Sequence, residues 1–306
     1  MRRSLVPITG LFVLMCSTLT AQQASTERPL AGAIDIHMHC GPDVKPHSAD
    51  EIDVARLAKA EGMRAIVLKN HYVPTANDAY LVRKIVPGIE VFGGIDLNLT
   101  VGGINPAAVE NMAHIAGGYG RMVWMTSFDS RAAVEAEKGK KLPRPYVTVS
   151  RNGQLLPEVK QVIAIIAKYN LVLETGHNYP DEILAMIREA NQDGVKHIVV
   201  THAMIAPIHM NIQQMKQAAA MGAYIEFVYN GLIGPYKEFS FADYAQAIKA
   251  IGADHAILAS DLGQVVNPVH TEGLKDFYAG LLKAGISQAE IDTMARTNPA
   301  KVLDLN

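Results

Sequence analysis

From residue 33 onward, short and nearly continuous apolar runs alternate with longer segments of helical periodicity. The runs cover 33–38, 65–69, 90–96, 122–126, 171–175, 197–201, 223–228 and 256–260. Runs that are apolar at successive positions, rather than at every second one, are buried on both faces, as strands of a parallel sheet covered by helices are. Between them, Ser48-Ala49-Asp50-Glu51 opens a helix in the manner of a capping box, with Ile52, Leu57 and Ala58 as its apolar stripe and Gly62 as its stop. Helices over 157–169 and 180–191 each begin at a proline, which suits a first helical turn. Such alternation fits a closed barrel or a doubly wound sheet, and eight units favour a (β/α)8 TIM barrel, one domain over 33–306.

Several of these runs end in side chains able to bind a metal. The first runs into His37-Met38-His39, the second into Lys69 and then His71, the fifth into His177, the sixth into His202 and the last into Asp261. In a parallel barrel the carboxyl ends of the strands share one face, so these groups gather in one place. His37 and His39, two apart on a strand, project from the same face, with Met38 on the other. The donor set suits a divalent transition metal, zinc first among them, as one ion or two. Asn98, Asn178, Tyr229 and Asn230 follow strands and are candidates, with His71, to contact a small-molecule substrate. His197 and His255 stand at strand starts, and His114, His209, His47 and His270 fall in helices or connections, which gives them no predicted role.

The order His37-x-His39, His177, His202, Asp261 resembles the amidohydrolase superfamily of metal-dependent hydrolases. The stretch Asp35-Ile36-His37-Met38-His39-Cys40-Gly41-Pro42-Asp43 resembles an uncharacterised subgroup, and Thr297-Asn298-Pro299-Ala300-Lys301-Val302-Leu303 looks like the superfamily's C-terminal helix. The resemblance implies that His37, His39 and His177 hold metal, and that His202 holds a second metal or polarises the substrate carbonyl. It also implies that Asp261 moves the proton of the attacking water. One element departs. The lysine or glutamate that bridges two metals from strand four is missing from Met122-Val123-Trp124-Met125-Thr126, which leaves Lys69 as the bridge or as a cation for substrate. Glu174 falls on the opposite side of its strand's alternation from His177. The expected reaction is cleavage of an amide, lactone or ester. Decarboxylation or isomerisation on the same barrel, or metal binding without turnover, are the alternatives. A phosphoesterase of the PHP family would also begin with His-x-His, but it usually closes with Asp-x-His, where this chain reads Asp261-Leu262-Gly263.

Composition narrows the partners more than the substrate. The 306 residues carry a formal charge of −2, with no basic footprint for nucleic acid. Residues 1–21 read as a secretory signal peptide, with Met1-Arg2-Arg3 ahead of an apolar run and Ala21 at the cleavage point. An uncleaved anchor and a lipoprotein processed at Cys16 are the other readings of that segment. Export to the periplasm or medium, a linker over 22–32 and no stable membrane association after cleavage follow from the first reading. Homo-oligomerisation stays open. Cleavage leaves Cys40 as the sole cysteine, so no intrachain disulfide can form. The segment 127–154, rich in lysine at 138, 140 and 141, is the longest irregular stretch and fits either a specificity loop over the site or a surface hairpin over 146–155.

Overall fold

The structure is a computed structural model and describes residues 28–137 and 144–305. The signal peptide over 1–21, most of the linker, Lys140 and Lys141 lie outside the described residues. No helix among the described residues is long and apolar enough to cross a membrane.

Eight parallel strands run in the order β1-β2-β3-β4-β7-β8-β9-β10. They are β1 Ile34–His39, β2 Ala65–Lys69, β3 Glu90–Asp96, β4 Gly120–Trp124, β7 Val172–Glu174, β8 His197–Val200, β9 Tyr224–Val228 and β10 Ala256–Ala259. Each matches an apolar run of the sequence to within a few residues, and the (β/α)8 barrel is the fold. A hairpin of β5 (Ser150–Arg151) and β6 (Gln154–Leu155) interrupts the alternation after β4. The barrel interior is lined by residues such as Ile34, Val67, Met122, Val172 and Ile257, while the opposite strand faces pack on the helices.

The ring closes between β10 and β1 without a full ladder. Asp261 N–H donates to His37 O at 2.8 Å and His39 N–H to Leu262 O at 2.8 Å. The Asp35 carboxylate accepts from Ser260 N–H at 3.0 Å and His37 N–H at 3.2 Å, taking the place of missing backbone acceptors. On the other edge, the register of β1 against β2 slips between Asp35 and Met38, so β1 bends just where its two histidines emerge.

Helices cover the barrel as the periodicity predicts. Proline occupies the first turn of α5 (Pro157–Lys168) and α6 (Pro180–Gln192). The first helix, α1 (Glu51–Ala60), is capped by Asp50, which accepts from Asp53 N–H at 2.8 Å, rather than by Ser48. At the far end of the barrel, Ala300, Val302 and Leu303 plug the interior, and Asn298 pins that helix by donating to Ala253 O and Ala256 O at 2.9 and 2.7 Å. The expected linker is not free up to residue 32, because Leu30 is fully buried and Arg296 holds the carbonyls of Pro29 and Ala31.

Candidate metal centre

At the carboxyl ends of the strands, the side chains of His37, His39 and Asp261 converge, with one donor atom from each within 4.8 Å of the others. Asp261 Oδ1 lies 3.0 Å from His39 Nε2 and 3.3 Å from His37 Nε2. Across the same pocket, His177 Nε2 and His202 Nε2 are 2.8 Å apart. Two atoms that each stand ~2.0–2.2 Å from one cation are roughly 3.0–3.4 Å apart, so these spacings suit shared coordination. The chain turns sharply to present these groups. Asp261 takes φ +49°, a left-handed conformation that aspartate tolerates, and Gly176 at φ +64° precedes His177.

Protonation favours the same use. Desolvation, with Lys69 beside it, pushes His37 down to about 3, and desolvation pushes His39 and His202 down to about 4. His177 and His71 are also held well below the usual histidine range, by desolvation first and by neighbouring imidazoles and Lys69 after it. All five are neutral at pH 7, the form that binds metal. Burial opposes ionisation of Asp261, but His37 and His39 outweigh it and hold that carboxyl well below its normal range.

Beneath the histidines lies a buried polar layer. Glu226, on β9, approaches His37 Nδ1 at 3.1 Å and accepts from His202 N–H at 2.9 Å, so it orients two of the candidate ligands. Lys69 Nζ sits 3.2 Å from His37 Nε2 and 3.8 Å from Asp96 Oδ2. Glu174 is fully buried and accepts from Thr201 Oγ1 at 2.6 Å. Burial raises Glu174 well above its normal range, Glu226 to about 7 and Asp96 to about 6. Glu174 thus belongs to the layer under the site, and its alternation cannot be extended to His177 because the strand ends at Glu174 and Gly176 turns the chain.

His71 does face the pocket. Its Nδ1 lies 3.2 Å from both Asp96 Oδ2 and Ser127 Oγ, which leaves Nε2 toward the cavity, and its ring centroid is 4.5 Å from that of His39. Asn230 also lines the pocket and donates to Asp261 Oδ2 at 3.2 Å. Three other expected substrate contacts, Asn98, Asn178 and Tyr229, lie outside the lining of this pocket. Asn98 is fully buried and accepts from the N–H groups of Ser127 and Asp129, so it shapes the loop after β4. Asn178 donates to Thr175 O at 2.8 Å. Tyr229 packs against Phe241 and Phe277 in the outer core.

His47 and His270, given no role from sequence, both support the site. His47 lines the pocket and bonds to Asp43 Oδ2 at 2.9 Å, while His270 Nε2–H donates to His39 O at 2.8 Å. Glu226 and Asp96 also belong to the site without being among the residues the sequence pattern singles out. A signal is present, since each is a buried carboxylate in phase with the interior face of a largely apolar strand.

The profile of a family of unknown function, DUF6282, matches residues 32–226. No curated protein matches the chain. Among solved structures, an amidohydrolase from Pseudomonas aeruginosa is 13% identical, with a TM-score of 0.59 over 89% of this chain and 95% of that one. A phosphotriesterase homology protein from Escherichia coli, complexed with phosphate in its active site, is 16% identical, with a TM-score of 0.60 over 89% of this chain and 98% of its own. A putative 2-pyrone-4,6-dicarboxylic acid hydrolase from Pseudomonas putida is 16% identical, with a TM-score of 0.56 over 90% and 98%. The protein therefore has an amidohydrolase-like (β/α)8 fold, and the chain belongs to the DUF6282 family.

Proposed function

We propose that the protein is a metal-dependent hydrolase that cleaves an amide, lactone or ester bond of a small molecule. The observation that carries this is Asp261 Oδ1 at 3.0 and 3.3 Å from two neutral imidazoles, at the mouth of the barrel and within a pocket of about 310 Å³. A cavity of that size suits a small ligand. The fold of the amidohydrolase and of the pyrone dicarboxylate hydrolase supports the reading.

The donor set fits a divalent ion, zinc first. His37, His39 and Asp261 would hold one ion and His177 and His202 a second, with Lys69 between the groups or holding substrate. When bound, the metal lowers the pKa of water towards ~7 and polarises the scissile oxygen. Asp261 takes the proton of the attacking water and delivers it to the leaving group. Asn230 fixes that carboxylate by donating to Oδ2, which leaves Oδ1 facing the histidines. His202 orients the substrate carbonyl or completes the second donor pair. Export of the mature protein, with its start near Gln22, belongs to the same proposal.

Asp261→Asn tests this. The amide keeps the shape but cannot accept the water's proton, so kcat should fall ~10²–10⁴-fold while much of the metal stays bound. Near-normal kcat would remove the general base.

A further inference from the structure

The formal charges around the pocket are nearly all spoken for. Asp43 bonds His47 Nε2 at 2.9 Å, Glu137 bonds Arg144 Nε at 2.8 Å, Asp261 faces the histidines, and Lys69 faces Asp96. Lys45 is different. It lines the pocket, and it has no ion pair among the described residues. Residues 138–143, which are not described, contain three lysines and no acid, so that segment brings no carboxylate to it.

Lys45 is exposed, on a loop that is fastened to either side of it. The loop after β1 is fastened by His47, whose Nδ1 lies 3.2 Å from Gly263 O, and by a bridge between Gly41 and Asp50. The ammonium rests over the ring of Phe128, 3.7 Å from its centroid. The same pocket has an apolar share of its wall, formed by Phe128, Ala133, Ala136, Ile205, Pro207 and Tyr236. Partial burial lowers the lysine's pKa, with Asp43 and Glu137 pulling the other way. An exposed cation at the pocket mouth with no ion pair of its own gains from an anion brought by the ligand.

Resting on the hydrolase reading, we propose that Lys45 is the specificity residue that selects a substrate bearing a carboxylate at the end of an apolar or aromatic body. The carboxylate meets Lys45 at the mouth, the body lies along the Phe128 and Ile205 wall, and the scissile bond reaches Asp261.

Calorimetric titration with 3-phenylpropionate and its neutral amide, 3-phenylpropionamide, tests the idea without turnover. The zinc-loaded protein should bind the carboxylate more tightly than the amide, and the preference should persist after chelation, which excludes binding through the metal alone. Lys45→Met should raise the Kd of the carboxylate roughly tenfold, leave the amide unchanged, and be rescued by Lys45→Arg. Equal binding of the two compounds, absence of binding by both, or a Lys45→Met protein with unchanged carboxylate affinity would overturn the proposal. Absence of zinc-dependent turnover across a panel of amides, lactones and esters would overturn the hydrolase reading alone and leave the Lys45 result standing.

Discussion

Glu226 Oε2 lies 3.1 Å from His37 Nδ1, and the same oxygen accepts from His202 N–H. One buried carboxylate thus orients an imidazole from the first strand and steadies the backbone of a second histidine, which follows β8, the neighbour of its own strand. With Nδ1–H given to Glu226, the lone pair of His37 is left on Nε2, toward Asp261.

Loss of that carboxylate should loosen the metal rather than unfold the barrel. Glu226→Gln keeps an acceptor oxygen and should weaken zinc modestly, whereas Glu226→Ala should weaken it about 10–100-fold. Chelator competition measures both, and equal affinity in Glu226→Ala and wild type would exclude the orienting role.

Gly176 sits at φ +64°, and a Cβ there would overlap the carbonyl oxygen of Thr126, which also accepts from His177 N–H. Gly176→Ala should therefore cost about 3 kcal/mol or more and displace His177. Urea unfolding and metal content report the two effects. A variant with native stability would show that the turn has room to adjust.

Much of the site could be read from the sequence because its groups end apolar strands. His37, His39, His177, His202 and Asp261 all emerge on one face, as their order suggests. What the pattern did not show follows from geometry that periodicity does not carry. Tyr229 turns into the helical layer and Asn98 into the loop after β4, because side-chain direction in a connection is set by distant hydrogen bonds. His47 lines the pocket with its ring against Gly263 O, which lies far away in sequence. Asp35 closing the barrel against Ser260 is likewise a contact between chain segments that no local pattern links.

Lys69 separates one metal from two. Carboxylated, with its neutral amine having taken up carbon dioxide and lost a proton, it would bridge, and the protein should hold about two ions per chain. Lys69→Ala should then lose metal, and bicarbonate should help reconstitute the wild type. Two ions retained in Lys69→Ala would remove the bridge. Unchanged metal with a raised KM would instead mark a substrate cation.

Burial, with Asp78 and Asp50 adding to it, raises Glu51 to about 8. Its folded pKa exceeds the unfolded value, so the native state holds the extra proton between roughly pH 4.5 and pH 8 and stability falls as pH rises through that window. Since the group is partly exposed, the cost at pH 9 is about 1–2 kcal/mol after screening. Glu51→Gln should remove it, being more stable than wild type at pH 9 and nearly equal at pH 4.5 by urea unfolding. Equal stability of the two proteins at pH 9 would refute it.

The most direct test strips the protein with a chelator and titrates zinc back, following metal content and turnover of a lactone, ester and amide panel together. Activity should rise in proportion to bound zinc in the wild type, and the His37→Ala, His39→Ala double variant should bind little metal and show no turnover. Full activity in the stripped protein, or in a double variant that holds no zinc, would contradict a metal-dependent hydrolase built on these residues.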